Sequence, residues 1–384
     1  MIGDRAERRQ FSVAVVAGDG IGPEVVAEAR RAAEAAACRE GASIEWEEFP
    51  FGAAHYLRTG EILPDKALAE MGEHDAMLLG AIGDPAVKPG ILERGILLTL
   101  RFVFDQYVNL RPAKSLPGVP TPVSSDGGEI DSVVVRENTE DLYIGLGAIA
   151  PGGVLEIALD LDRGGYSLRG GMKLSLSPEM PFAAQVAINT AHGAARVTRY
   201  ACETARKRGE DLVTIVTKSN AVPALYGLFE DTAKEVIATE YPLMRWNVVN
   251  VDALCYHLVR KPSAYGVLLC PNLFGDIVSD LQAGLAGGLG TAAGGNIGDG
   301  LSMFEPVHGS APDIAGTGRA NPVAAILSAA MLLRHLELKT AAEAIEQAVR
   351  NYLARAPQSA LPVEFGGGAS CRDVGDAILK EILA

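Results

Sequence analysis

Basic residues are in short supply in this chain. It carries 34 Lys and Arg against 48 Asp and Glu, a formal net charge of −14 at pH 7. A nucleic-acid partner is not expected, because such binders normally present a basic face. Small anionic substrates stay open, since a few arginines can set the sign of the field inside a cleft. Cysteine is sparse as well. Cys38, Cys202, Cys255, Cys270 and Cys371 are far apart and form no C-x-x-C pair. Neither a disulfide framework nor a cysteine zinc site is indicated, which fits a reducing compartment. Met1–Gln10 is charged and lacks the apolar stretch of a secretory signal. No apolar run approaches the roughly 20 residues of a bilayer-spanning helix. The expectation is a cytoplasmic protein with no membrane partner.

Apolar residues are plentiful, at 48% of 384 residues. That allows a large buried core, and the length suits about two domains. Phe11–Ala17 reads as a strand running into Gly18-Asp19-Gly20-Ile21-Gly22-Pro23. A helical pattern follows from Glu24 to about Ala37, with Pro23 placed at its first turn. Apolar strands recur at Asp75–Leu79, Ser132–Val135, Leu212–Val216, Trp246–Val251 and Gly266–Leu269, with helical stretches such as Ala191–Arg208 and Ala221–Ala238 between them. This alternation predicts an α/β fold with a largely parallel sheet. Ala283–Gly300, rich in Gly and Ala, reads as a tightly packed helix followed by a loop. Gly145–Gly171 has no helical period and reads as an extended, hairpin-like arm or a loop insertion.

The stretch Asn272-Leu273-Phe274-Gly275-Asp276-Ile277-Val278-Ser279-Asp280 puts two carboxylates four residues apart. If a helix opens near Phe274, Asp276 and Asp280 share one face. Such a pair decorates a helix N-terminus, or it holds a hard divalent ion such as Mg²⁺ or Mn²⁺. Gly18-x-Gly20-x-Gly22 misses the G-x-G-x-x-G spacing of a dinucleotide fingerprint and fits a tight strand-to-helix turn equally well. Arg101 ends an amphipathic stretch, Arg111 sits at a strand end in Val108–Pro112, and Arg136 follows Val133-Val134-Val135. Each is a solvated charge, or the three converge as forked carboxylate sites. Tyr143 and Lys218 are an interface aromatic and a surface charge, or a proton-passing pair. Asp252 is a further carboxylate at a strand end, where ligands of open α/β sheets gather. The loop Glu305–Gly316 with Asn321-Pro322 has a backbone fixed by Gly and Pro, which suits a site made of main-chain groups.

Taken together, these motifs resemble the β-decarboxylating dehydrogenases, the isocitrate/isopropylmalate dehydrogenase family. The resemblance runs from about Val13 to His335. It rests on GDGIGPEV (Gly18–Val25), NLRP (Asn109–Pro112), RENTEDLY (Arg136–Tyr143), TKSN (Thr217–Asn220), NLFGDIVSD (Asn272–Asp280) and EPVHGSAPDIAG (Glu305–Gly316). It implies two α/β domains with a mixed sheet, helices on both faces and an order unlike the Rossmann fold. Domain 1 would hold both termini (1–105 and 285–384) and domain 2 the middle (106–284). An arm at about 145–181 would clasp the twin subunit of a homodimer, with dimer pairing into tetramers open.

By the same resemblance, Arg101, Arg111 and Arg136 bind the substrate carboxylates, and Leu97 and Leu98, with Ile96, face the substrate side group. Asp276 and Asp280, with Asp252 of the neighbouring subunit, hold Mg²⁺ or Mn²⁺. Tyr143 is the acid and Lys218 of the partner subunit assists removal of the hydroxyl proton, with Asp252 counted among the catalytic residues. NAD is bound by Glu305, His308, Gly309, Ser310, Ala311, Asp313 and Asn321. The carboxylate of Asp313 would accept ribose hydroxyls and repel a 2′-phosphate. The implied reaction is oxidative decarboxylation of 3-isopropylmalate to 4-methyl-2-oxopentanoate in leucine biosynthesis. RENTEDLY and TKSN are more similar to homoisocitrate and tartrate enzymes, and the arm is longer than isopropylmalate enzymes usually carry. A paralogue for homoisocitrate, isocitrate, tartrate/D-malate or a natural-product malate (for example a phosphonate-bearing one) is therefore the alternative. A non-catalytic regulatory subunit is the more remote one.

Overall fold

The computed structural model describes residues 9–123 and 128–384. Fourteen strands are seen among them: β1 (Arg9–Gly18), β2 (Ala42–Glu48), β3 (Ala76–Ala81), β4 (Val108–Lys114), β5 (Asp131–Glu137), β6 (Gly147–Ala150), β7 (Val154–Arg163), β8 (Tyr166–Ser175), β9 (Phe182–Gln185), β10 (Leu212–Thr217), β11 (Arg245–Asn250), β12 (Val267–Cys270), β13 (Ala293–Ile297) and β14 (Met303–Pro306). The chain divides into two compact units: 1–106, 110–131 and 282–384 in the first, 107–109 and 132–281 in the second.

In the first unit the strands run in the order β2-β1-β3-β14-β13-β4. β1 pairs in parallel with β2 and β3, β3 with β14, and β13 runs antiparallel to β14. The sheet is therefore mixed, and its order is not that of a Rossmann fold. Both faces are covered. Val13 and Val15 of β1, with Ala76 and Leu78 of β3, pack against the helices Gly22–Arg39, Val323–His335, Lys339–Arg355 and Cys371–Leu383. Ala14, Val16, Met77 and Leu79 point the other way, onto Phe49, Phe51, Leu92, Ile96 and Leu100. Burial on both faces is why these strands read as unbroken apolar runs rather than as alternation. The helix Gly22–Arg39 opens with Pro23 in its first turn and buries Val25, Val26, Ala29, Ala32, Ala33 and Ala36, a stripe at helical spacing.

Two expectations are corrected here. Residues 110–131 belong to the first unit, not to a domain running from 106 to 284. Val119 is buried in the first unit's core, and Gly118 lies against the carbonyl of Leu353, where a Cβ would come within 2.4 Å. The loop expected after the helix Asn272–Ala286 contains strand β13. Its Ala and Gly residues have low strand propensity, yet a Cβ at Gly295 would sit 3.0 Å from the Phe304 ring. Close packing selects the small residues that hide the strand in the sequence.

In the second unit the order is β11-β10-β12-β5, all parallel. β7 and β8 form a ten-residue-per-strand hairpin, and β6 pairs with β9. One hairpin face, Leu155, Ile157 and Leu159, packs with Ala150, Phe182 and Ala184. The opposite face carries Glu156–Lys173, Asp160–Arg169 and Asp162–Arg169 ion pairs. Charges of this kind blunt exposed strand edges. Among the described residues, no helix is long and apolar enough to cross a membrane.

Leu333 is fully buried in the helix Val323–His335. Leu333→Ala should lower the stability of the first unit by about 2–5 kcal/mol, read as a lower urea midpoint with an unchanged slope.

Candidate functional site

The second unit gathers its functional side chains where β5 ends and the helix Asn272–Ala286 begins. Arg136 emerges from β5 and is 1% exposed. Its Nε donates to Asn272 Oδ1 at 2.9 Å and its Nη1 to Asp276 Oδ1 at 2.5 Å. The guanidinium carbon lies 5.0 Å from the Tyr143 ring centroid. Tyr143 Oη donates to Asp276 Oδ2 at 2.6 Å. Asp276 thus joins the arginine and the tyrosine of the RENTEDLY segment. Gly275 makes this approach possible, because a Cβ there would fall 2.5 Å from Arg136 Cγ. Asp280 follows one turn later on the same helix and is exposed.

Lys218 and Asp252 form a separate pair. Lys218 follows β10, Asp252 lies in the first turn of the helix Val251–Arg260, and Nζ donates to Oδ1 at 2.7 Å. The bond to Lys218 lowers the Asp252 pKa below its ordinary value. Asp252 is 67% exposed. Among the described residues, no three His, Cys, Asp or Glu side chains gather into a metal-holding group within the single chain. Asp276 and Asp280 supply two hard oxygen donors of the kind that suits Mg²⁺ or Mn²⁺.

Behind these groups lies a set of buried acids that the sequence reading passed over. Glu137 accepts from the backbone N–H and Oγ1 of Thr139, at 2.9 and 2.7 Å, and from the N–H of Glu140 at 2.8 Å. Glu140 accepts from the N–H and Oγ1 of Thr190, both at 2.7 Å. Burial, then the neighbouring Glu140 charge, pushes Glu137 up to about 7.

In the first unit, Arg101 is 4% exposed and its Nη2 donates to Glu305 Oε1 at 3.1 Å. Asn296 Nδ2 donates to the same oxygen at 2.8 Å. Glu305, expected in the cofactor pocket, therefore braces Arg101 from β14, because an arginine this buried needs a carboxylate partner. Arg111 is half-buried on β4, with its stem near Gly294. Leu97 and Leu98 are half-buried in the turn before Arg101, whereas Ile96 is fully buried and faces the core.

The GDGIGP segment is the tight turn, with a second task. Ile21 N–H donates to Ser310 O at 2.9 Å, and a Cβ at Gly20, whose φ is +57°, would strike that carbonyl at 1.9 Å. Asp19 accepts from the N–H groups of Ala53 and Gly83, at 2.7 and 2.9 Å. Beside this turn lies a cavity of about 290 Å³ lined by Ile21, His308, Ile314, Arg319, Asn321 and Glu364, among others. Of the residues expected to bind cofactor, His308 and Asn321 line it. Gly309 and Asp313 are exposed on the adjoining loop, and Ser310 and Ala311 shape that loop, Ala311 at φ +38°. Sequence reasoning missed Glu364, whose Oε2 accepts from Asn321 Nδ2 at 2.9 Å. Glu364 sits in a short turn, Val363–Phe365, that no motif marks.

His308 Nδ1 meets the carbonyl of Gly309 at 3.0 Å, so Nδ1 carries the proton. Burial lowers the His308 pKa, which favours the neutral ring. Its Nε2 is then a buried acceptor with no partner among the described residues. An orphaned acceptor on an apolar wall fits a heterocycle that carries an N–H donor, such as adenine.

Residues 12–378 match the isocitrate/isopropylmalate dehydrogenase family. This chain belongs to that family. It is 46% identical over 382 residues to a 3-isopropylmalate dehydrogenase from Clavibacter sepedonicus, covering 97% of this chain and 98% of that one. A 3-isopropylmalate dehydrogenase from Thermobifida fusca is 43% identical over 378 residues, covering 97% and 98%. Among solved structures, isocitrate dehydrogenase from Methylococcus capsulatus superposes with a TM-score of 0.81 at 34% identity, covering 97% of this chain and all of that one. Membership makes the chain an oxidative decarboxylating dehydrogenase of the mixed α/β type.

The buried acids carry a pH dependence. Glu137 takes up a proton on folding wherever the pH lies between its ordinary 4.5 and about 7. The folded state is therefore favoured at the acid end of that window and loses this contribution as pH rises through about 7. Glu137→Gln should destabilise the chain at pH 5 yet flatten the fall of the thermal midpoint between pH 5 and 8. An unchanged slope in calorimetric scans would remove Glu137 as its source.

Proposed function

We propose that this chain catalyses NAD⁺-dependent oxidative decarboxylation of 3-isopropylmalate to 4-methyl-2-oxopentanoate and CO₂, the dehydrogenase step of leucine biosynthesis. The observation that carries the reading is Asp276, a carboxylate contacted at once by the buried Arg136 and by the hydroxyl of Tyr143. That is an acid, a carboxylate anchor and a metal donor in one place. Relatives named 3-isopropylmalate dehydrogenase, aligned over nearly the whole chain, support the substrate. The half-buried Leu97 and Leu98 suit an isopropyl group.

In this mechanism Arg101, Arg111 and Arg136 hold the substrate carboxylates through forked, charge-assisted hydrogen bonds. Lys218 of the second copy, held by that copy's own Asp252, assists removal of the C2 hydroxyl proton as the hydride leaves C2. Tyr143 holds a proton at Oη and delivers it to C3 once CO₂ has departed. A Mg²⁺ or Mn²⁺ ion on Asp276, Asp280 and a second copy's Asp252 would polarise the C2 oxygen, and NAD⁺ would accept the hydride. His308 and Asn321 would hold the adenosine end, and Asp313 would take the ribose hydroxyls.

A homodimer belongs to this reading, supported by the placement of the acids: Asp276 and Asp280 share one helix, and Asp252 is not gathered with them among the described residues. Tyr256, Val259 and Ile277 are 64%, 55% and 53% exposed on the two helices that bear Asp252 and Asp276. Such apolar exposure supports a second copy packing along these helices. The cytoplasm is the compartment that fits this reading. The likeness to a solved isocitrate dehydrogenase, with the long β7–β8 hairpin, favours one second reading, a paralogue acting on another 3-substituted malate.

The deciding experiment follows NADH absorbance with Mg²⁺ and 3-isopropylmalate, homoisocitrate, isocitrate, D-malate or tartrate. The highest kcat/KM is expected for 3-isopropylmalate. A higher value for another malate would transfer the assignment to it, and no NADH from any would exclude the reaction. Asp276→Asn should cut kcat by about 100-fold or more; near-normal turnover would take Asp276 out of the chemistry. Asp313→Lys should lower kcat/KM for NAD⁺ by about 10–100-fold, the size of a lost charge-assisted bond. An unaltered value would refute this role for Asp313.

A further inference from the structure

The proposed reaction gives no task to the acids of the RENTEDLY segment, Glu137, Glu140 and Asp141, and of these Asp141 has the most unusual setting. It is fully buried and adopts φ 63° and ψ −144°, a backbone conformation that residues other than glycine rarely tolerate. Strain of this kind persists only where surrounding contacts compel it. Those contacts are present. Asp141 N–H donates to Ile188 O at 2.7 Å. Its Oδ2 accepts the N–H of Leu273, in the first turn of the helix Asn272–Ala286, at 3.0 Å. Its Oδ1 accepts from Tyr226 Oη at 3.3 Å, and the Tyr226 ring lies against Phe274 of the same helix at 4.4 Å between centroids.

The residue before Asp141 makes a second tie to that helix, as Asn272 Nδ2 donates to Glu140 O at 3.1 Å. Two residues after Asp141, Tyr143 Oη reaches Asp276 on the next turn. Segment and helix are therefore latched at three successive levels. Of these, only the Asp141 level joins a side-chain carboxylate to a first-turn N–H of the helix. An anionic acceptor at that end is favoured by the helix dipole as well as by the hydrogen bond. Burial raises the Asp141 pKa, opposed by the Leu273 and Leu142 N–H groups, Tyr226 and Arg136.

We propose that Asp141 is a positioning residue for the dehydrogenase reaction: its strained backbone and its bond to Leu273 N–H set the placement of Tyr143 Oη against Asp276. This inference rests on the reading of Tyr143 as the proton donor. A shift of about 1 Å between reacting groups can cost about 100-fold in rate, which is what such a latch would prevent.

The test uses the full-length protein and two variants. Asp141→Gly suits the positive φ and removes the carboxylate. Asp141→Asn keeps the size and one acceptor oxygen. For Asp141→Gly, kcat with 3-isopropylmalate should fall about 10–100-fold while KM stays within about threefold. Asp141→Asn should lose about 3–10-fold in kcat. A readout independent of turnover is backbone amide exchange. Asp141→Gly should speed exchange at the start of the helix, around Leu273, and leave peptides from the first unit unchanged. Wild-type kcat together with wild-type exchange at Leu273 would overturn the proposal, as would a loss confined to KM. If Asp141→Gly does not fold, Asp141→Asn decides by the same two readouts. If the unaltered protein turns over no malate, the reaction assignment fails, while the exchange experiment still decides whether the latch exists.

Discussion

One buried guanidinium organises the second unit. Arg136 sits at 1% exposure, and a charge so placed is tolerable only with partners arranged around it. Its partners are Asn272 and Asp276, one turn apart on a single helix, with the ring of Tyr143 beneath. That requirement fixes where the helix must run and how closely, and it dictates glycine at 275. Asp276 is consequently held by an arginine on one oxygen and a phenol on the other. Geometry suited to proton transfer is in this sense a by-product of solvating one buried cation.

The first unit solves the same problem in a different way. Arg101 is braced by Glu305, 204 residues away in sequence, and Glu305 is itself braced by Asn296 on the antiparallel strand β13. The irregular sheet order brings these groups together, since β14 lies between β13 and β3. A guanidinium tied along one edge to a fixed carboxylate loses rotational freedom, so ordering it costs less when a substrate carboxylate arrives.

Much of this was legible in the sequence, and what was not has physical causes. The strands β1, β3, β5 and β12 were visible because burial on both faces demands apolar runs such as Val133-Val134-Val135 and Val267-Leu268-Leu269. Asp276 and Asp280 were visible because helical spacing puts them on one face. β13 was hidden because it opens with Ala293-Gly294-Gly295, small residues of low strand propensity, with Gly295 packed closely against the Phe304 ring. Residues 110–131 were misassigned because a unit boundary depends on packing partners, here Val119 and Gly118 against the C-terminal helices. The brace between Arg101 and Glu305 was invisible because a long-range pair leaves no local spacing. Asp141 escaped because a positive φ is usually announced by glycine, and here it is imposed on an aspartate.

The acidic surplus of the chain and its taste for an anionic substrate are reconciled by the same pairs. With a net charge of −14, a free arginine would still work against the field of the whole molecule. Arg101 is buried beside the carboxylate of Glu305 and Arg136 beside that of Asp276, so each acts at short range in a low-dielectric setting, where local geometry outweighs distant charge. The partner acid costs some of the positive field but fixes its direction. For Arg136 the partner is Asp276, the residue whose charge a divalent cation would neutralise. In the proposed reaction, a cation on Asp276 and a substrate carboxylate on Arg136 would be coupled through that one carboxylate: filling the metal position would release more of the Arg136 field toward the substrate, and the acid that orients the arginine would make its strength conditional on the ion.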